Sequence, residues 1–383
     1  MQGVGAASVV VLGGFFLSAP GCALADAATE GNSRALYGAR RDVDLPGATA
    51  IAIGDADGDG RDEVLVANDS PHLLAIGDGD ADVLFDLPLQ LSDLQSADLD
   101  GDGRLDLVGT GDGQIVVVLD APSADRSISM LHTKAFVPLS DAEVAVGDLN
   151  VDDYPDLAVN GGAGEIAVFF QDPAEPGHFA DDPRFLELDT SWLSSKFAIA
   201  DENGDGANDD VVVEESLDGR VAVMRQDDPG SFDAPATLEA SRDDLNQPQA
   251  VLAADLDAAG RVDLAASFMG HLSVYSSARG PIELVDTLEG QFGAYVGAGD
   301  ATGDGLLELV ATQSTPYQPV VDELLVFEQT ADLRFAATQT LRLPDMSADL
   351  AIGDVNGDGL ADVAALTVSN VSIFHAGVDR DES

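Results

Sequence analysis

Cysteine is almost missing from this sequence: Cys22 is the one example in 383 residues. No intramolecular disulfide can form, and no cysteine-based zinc site, so any stapling comes from packing or from a metal held by other ligands. Basic residues are scarce as well, 17 Lys and Arg against 70 Asp and Glu, for a net charge of −53. Such a surface repels nucleic acid and anionic headgroups, and its natural partners are cations. Aromatic residues make up 5% of the chain. The five histidines, His72, His132, His178, His271 and His375, show no metal spacing. No G-x-S-x-G nucleophile motif occurs, so no catalytic residue is assigned. The longest apolar run, residues 4–19, is shorter than the roughly 20 residues a membrane-spanning helix needs.

What is present is a core-forming composition, 45% apolar, punctuated by 40 glycines. The run at 4–19 reads as the apolar part of an export signal. Two cleavage patterns follow it. Ala23-Leu24-Ala25 fits ordinary signal peptidase, making 1–25 the signal. Ala19-Pro20-Gly21-Cys22 resembles a lipobox, making 1–21 the signal and Cys22 a lipidated first residue. Both readings place the protein outside the cytoplasm, secreted or as a surface lipoprotein. Residues 26–36 read as a flexible linker, 37–377 as the folded domain and 378–383 as an acidic tail.

The domain is a repeat built around residues 51–68, IAIGDADGDGRDEVLVAN. A short apolar strand leads into an acidic loop, and a second strand leads out. The pattern recurs with loops starting at Asp55, Asp98, Asp148, Asp201, Asp255, Asp300 and Asp354, at intervals of 43 to 54 residues. That period, with short β-branched runs separated by Gly and Asp, predicts an all-β, seven-bladed β-propeller of four-stranded antiparallel blades. The seventh unit supplies three strands before 377. Residues 37–45 resemble the fourth strands elsewhere, so they are predicted to complete the last blade and close the ring, which removes exposed sheet edges.

Within each loop, oxygen-bearing side chains fall at positions one, three, five and nine. The candidate metal ligands are Asp55, Asp57, Asp59 and Glu63; Asp98, Asp100, Asp102 and Asp106; Asp148, Asn150, Asp152 and Asp156; and Asp201, Asn203, Asp205 and Asp209. The fifth loop offers Asp255, Asp257 and Asp263, with Ala259 at position five. The last two offer Asp300, Thr302, Asp304 and Glu308, then Asp354, Asn356, Asp358 and Asp362. Position six is Gly in six loops and Asp153 in the third, at a turn that needs an unusual backbone. Oxygen-only ligands on alternate residues suit calcium better than magnesium or zinc. Up to about seven calcium sites are expected, the first two tightest and the fifth weakest.

These repeats resemble the FG-GAP/VCBS family of calcium-loop blades found in integrin α-chain heads and bacterial exported proteins. The sixth unit carries a form of the name motif, Phe292-Gly293 followed by Gly297-Ala298-Gly299-Asp300. The resemblance implies calcium in the loops joining strands one and two, all on one face, and does not fix a function. The expected function is a non-enzymatic, calcium-stabilised binding module for a protein or carbohydrate. An exported polysaccharide lyase or hydrolase on the same scaffold is the alternative. Trp192 and Tyr317, in loops expected on the face opposite the calcium, are the ligand-contact candidates.

Overall fold

In the computed structural model the described residues are 35–377, except 78, 122, 133–141, 161–164, 181, 188–196, 201–209, 216–219, 229–230, 234–235, 239–247, 269, 277–281, 314–322 and 332. The signal, Cys22 and linker expectations fall outside them, apart from the linker's last two residues. So do the acidic tail, Trp192, Tyr317 and the fourth loop's Asp201, Asn203, Asp205 and Asp209. Among the described residues no helix is long and apolar enough to cross a membrane.

The chain opens on β1 (Arg41–Asp44). Unit one follows as β2 (Ala48–Gly54), β3 (Glu63–Asn68), β4 (His72–Ile76) and β5 (Asp82–Asp86). Unit two is β6 (Asp93–Ala97), β7 (Asp106–Gly111), β8 (Gln114–Leu119) and β9 (Ser127–His132). Unit three is β10 (Val144–Gly147), β11 (Asp156–Asn160), β12 (Glu165–Phe169) and β13 (Arg184–Glu187). Unit four is β14 (Phe197–Ala200), β15 (Asp210–Glu215) and β16 (Arg220–Met224), a hairpin of β17 (Gln226–Asp228) and β18 (Ser231–Phe232), and β19 (Ala236–Thr237). Unit five is β20 (Pro248–Ala254), β21 (Asp263–Phe268), β22 (His271–Ser276) and β23 (Glu283–Glu289). Unit six is β24 (Val296–Gly299), β25 (Glu308–Gln313), β26 (Glu323–Ala331) and β27 (Arg334–Arg342). Unit seven is β28 (Ser347–Gly353), β29 (Asp362–Thr367) and β30 (Asn370–Phe374).

Every unit pairs its strands in chain order as an antiparallel sheet, and β1 takes the outer place beside β30. The fold is an all-β propeller of four-stranded antiparallel blades. Where the sequence predicts seven full blades, six have an outer strand of four residues or more, and unit four keeps only Ala236–Thr237. The reason lies in the chain just before it. The inserted β17–β18 hairpin diverts the backbone, and Pro235, which has no N–H to give a ladder, precedes the stub.

The first strands stand side by side in the order β2, β6, β10, β14, β20, β24, β28, and β28 returns to β2. Each sheet is covered on both faces, which is why its inner strands read as nearly continuous apolar runs. Leu65, Leu73 and Phe85 of unit one meet Leu94, Val116 and Val118 of unit two. Ile51, Ile53 and Val66 meet Ala364, Leu366 and Ile373 on the other side. The core is thus a series of apolar layers between neighbouring blades.

The closing strand reaches three units with three consecutive side chains. The Arg40 guanidinium donates to the Arg342 carbonyl of unit six at 2.7 Å. That of Arg41 donates to Gly77 of unit one at 2.6 Å, and Asp42 accepts from Ser372 of unit seven at 2.7 Å. The preceding Leu36 and Tyr37 are buried. Their amides both donate to the Gln339 side-chain oxygen, at 2.8 and 2.9 Å, and the Gln339 amide group returns a bond to the Tyr37 carbonyl at 2.8 Å.

Candidate metal loops on one face

The loops joining first to second strands share one backbone path. The described loops turn into the left-handed region at positions four and six, at Gly58 and Gly60, Gly101 and Gly103, Val151 and Asp153, Ala258 and Gly260, Gly303 and Gly305, and Gly357 and Gly359. The sequence reading found the turn at position six and missed the one at position four. Gly at that place in four of these six loops was the available signal. Val151 holds the path at φ 60°, which a β-branched residue adopts only under strain.

The first aspartate organises that turn. In every described loop one of its oxygens accepts the position-six amide at 2.8 to 2.9 Å, while the other accepts an amide at position four or five. Position five closes a second small turn. Asp59, Asp102, Asp152, Asp304 and Asp358 each accept the position-seven amide at 2.9 to 3.0 Å. Position two is an apolar anchor, and Ala56, Leu99, Leu149, Leu256, Ala301 and Val355 are all buried.

Position nine lies at the base of the loop, where the second strand begins. Asp106, Asp156, Asp263, Glu308 and Asp362 are buried there. Asp106 accepts the Leu99 amide at 2.7 Å with one oxygen and the Asp120 amide at 2.7 Å with the other. Asp156 repeats this with Leu149 and Gln171. Burial, with the neighbouring loop carboxylates adding to it, pushes Glu63, Asp156, Asp263 and Glu308 up to about 7 and Asp106 to about 6. These groups have been taken out of water without a full set of compensating charges.

Three loops gather three carboxylates with ligand oxygens all within 4.8 Å of one another: Asp55, Asp57 and Glu63; Asp98, Asp100 and Asp106; and Asp255, Asp257 and Asp263. Asp59 and Asp102 stand outside these groups, held by their own turns. The fifth loop, expected to be the weakest, gathers its acids as the first two do. Ala259 removes the position-five turn and leaves the group of three intact. Asp263 is 1% exposed, and neither of its oxygens makes a hydrogen bond of ordinary geometry, although the Ser276 hydroxyl and the Leu256 amide lie close enough to offset part of its desolvation. An all-oxygen set at this spacing, with an unsatisfied buried carboxylate, fits a hard cation such as calcium, whose oxygen ligands lie at about 2.3–2.6 Å.

These three loops alone among the seven carry Arg at position seven, Arg61, Arg104 and Arg261. Arg104 pairs with Asp102 at 2.5 Å and Asp120 at 2.6 Å, and holds the exposed Asp102 below the usual carboxylate range. At position three the other described loops have an amide or hydroxyl, Asn150, Thr302 and Asn356. In the seventh loop the His375 ring stands 2.9 Å from buried Asp362, and this bond holds the imidazole above its ordinary pKa.

The fourth loop departs in register. In the other units the residue before the first aspartate pairs with position nine, as Gly54 does with Glu63 and Gly147 with Asp156. In unit four Ala200 pairs with Asp210, not Asp209. The loop is one residue longer than the sequence numbering implies, so Asp210 takes the register place assigned to Asp209.

A further set of residues escaped the sequence reading. Gln171 and Gln226, just past third strands, and Gln329, near the end of β26, are buried. Their side-chain amides donate to the carbonyls of Leu99, Leu149 and Leu256, the position-two residues of the preceding unit's loop, at 2.9, 2.8 and 3.0 Å. Backbone bonds do the same around the closure. The Asp62 amide donates to Asp354 at 3.2 Å and the Ala361 amide to Asp300 at 2.9 Å. Each loop is therefore tied to its neighbour, and a loop's geometry is passed to the next blade.

Residues 300–365 match the model of the FG-GAP-like repeat family, so this stretch is an FG-GAP-like repeat on a β-propeller. No curated protein matches the chain. Among solved structures it is similar to BBS1N in complex with ARL6DN, from a crystal soaked with lead. That likeness has 13% identity and a TM-score of 0.62, and covers 91% of this chain and 98% of the other. The same complex soaked with mercury gives 14% identity and a TM-score of 0.60, covering 90% and 97%. At this identity the likeness concerns the fold.

Proposed function

We propose that the protein is an exported scaffold that holds a protein partner on a calcium-stabilised propeller. On this reading the ring counts seven blades, the reduced unit four among them. The observation that carries the calcium part is the gathering of three carboxylates in the first, second and fifth loops, with Asp263 buried and unsatisfied. In the first, Asp55, Asp57 and Glu63 would hold the ion; in the second, Asp98, Asp100 and Asp106; in the fifth, Asp255, Asp257 and Asp263. The ion would supply positive charge among the three gathered carboxylates, and would stiffen loops already tied to their neighbours. Its role on this reading is structural, fixing the turns that join first to second strands.

The protein-binding part rests on the fold and on the similar BBS1N structures, in which BBS1N is in complex with ARL6DN. The Gly377 amide donates to the Leu36 carbonyl, so both ends of the described chain meet at the outer edge of unit seven, beside the seventh loop. An anchor at the N-terminus would then leave the face opposite the loops turned outward. An array of proteins and glycans, probed with and without calcium, tests this. Selective, calcium-dependent protein binding is expected; binding to glycans alone, or breakdown of an arrayed polysaccharide, would overturn it.

A further inference from the structure

We propose that the outer cleft between units one and two docks an extended segment of a partner protein, apolar at alternate residues and basic between them. This rests on the protein-binding reading above and names its site and partner chemistry.

Met130 and Ile128 on β9 pair with Val116 and Val118, which lie in the core between units one and two, so all four share that face of the sheet. On the facing blade Phe85 pairs with Leu73 in the same core. The mouth of this layer is therefore lined by Phe85, Ile128 and Met130, with the Arg126 guanidinium 4.3 Å over the Phe85 ring. Ile128 is 41% and Met130 40% exposed, two large apolar side chains of one strand left in water. β9 is also the outermost strand of its sheet, and no described strand pairs with its free edge. A free edge beside exposed apolar side chains at alternate residues suits strand addition by a peptide.

The molecule fills one cleft of this kind itself. Between units six and seven, Leu36 and Tyr37 run along the outer strand β27, held through their backbone by Gln339, with their side chains in the core. Between units one and two no described segment takes the corresponding place. A second copy of the chain is a poor occupant, because each carries a net charge of −53. Asp82 and Asp125 are exposed around the cleft, so the occupant that fits carries Lys or Arg between its apolar residues.

The test is selection of a displayed library of random 12-residue peptides against the full chain in calcium. Enrichment of alternating apolar and basic peptides is expected. Their affinity should fall about tenfold or more with Ile128→Asp or Met130→Asp, and also at high salt. Val83→Asp, on the same rim but opposite Leu74 and outside this cleft, should leave binding unchanged. Melting curves of each variant check folding, and the milder Met130→Ala should weaken binding in the same direction. Enriched peptides that bind Ile128→Asp and Met130→Asp as they bind the parent would overturn the cleft while leaving the protein-binding reading in place. No enriched peptide, together with a silent protein array, would overturn both.

Discussion

The first and seventh loops are close in sequence, Asp55-Ala56-Asp57-Gly58-Asp59-Gly60 against Asp354-Val355-Asn356-Gly357-Asp358-Gly359, yet they balance charge differently. The seventh has an amide at position three and an imidazole beside its buried Asp362. The first keeps carboxylates at positions one, three and nine close together, with Glu63 driven up to about 7. A similar backbone thus sets an imidazole beside its buried acid in one place and three gathered carboxylates in another. Repeat identity predicts the turn. On the proposed reading, the residue at position three decides whether a loop holds a cation.

That contrast is broken most severely by removing the position-three acids. The triple variant Asp57→Ala, Asp100→Ala, Asp257→Ala should lose most of the calcium-induced rise in melting temperature, on the order of 10 °C for several sites well above their Kd. Asn356→Ala should keep it. Among single changes, Asp257→Ala should weaken calcium binding as much as Asp57→Ala does, which calorimetry would check.

A counter-charge can also be removed from the seventh loop. His375→Ala removes the imidazole beside buried Asp362 and should cost about 2 kcal/mol, read from denaturant unfolding. Because His375 is raised, its contribution is complete below its ordinary value of about 6.5 and is lost as pH climbs from there through the raised value, so the variant should show a flatter stability profile across that interval.

The carboxylates give the opposite comparison, between chelated and calcium-loaded protein. Glu63, Asp106, Asp156, Asp263 and Glu308 are raised, so the folded chelated state holds more protons than the unfolded one between about pH 4 and 7. Its stability should fall by several degrees of melting temperature from pH 5 to 7.5. Calcium competes with those protons, so its stabilisation should grow across the same range.

The smallest expected effect concerns the turn alone. Val151→Gly relieves a β-branched residue at positive φ and should stabilise the chain by about 1 kcal/mol, less the entropy glycine costs the unfolded chain.

Much of this was legible in the sequence. The period and the apolar strands flanking each acidic loop reveal the propeller, and residues 37–45 reveal the strand that pairs with β30. What escaped depends on contacts between units. Gln171, Gln226 and Gln329 look like ordinary polar strand ends until the preceding blade brings a buried carbonyl to each. His375 reads as a strand-end histidine because its partner, Asp362, comes from a neighbouring strand. The fourth loop's extra residue is hidden by the adjacent acids Asp209 and Asp210, which offer two equally good ninth positions until the pairing of Ala200 chooses.

The central claim is that three loops, the first, second and fifth, hold calcium because each gathers three carboxylates within 4.8 Å of one another. Titration calorimetry of the full chain counts the ions directly. The account predicts about three ions bound by the parent and almost none by the triple position-three variant. No binding by the parent, or a triple variant that still takes up the same number of ions, would contradict it.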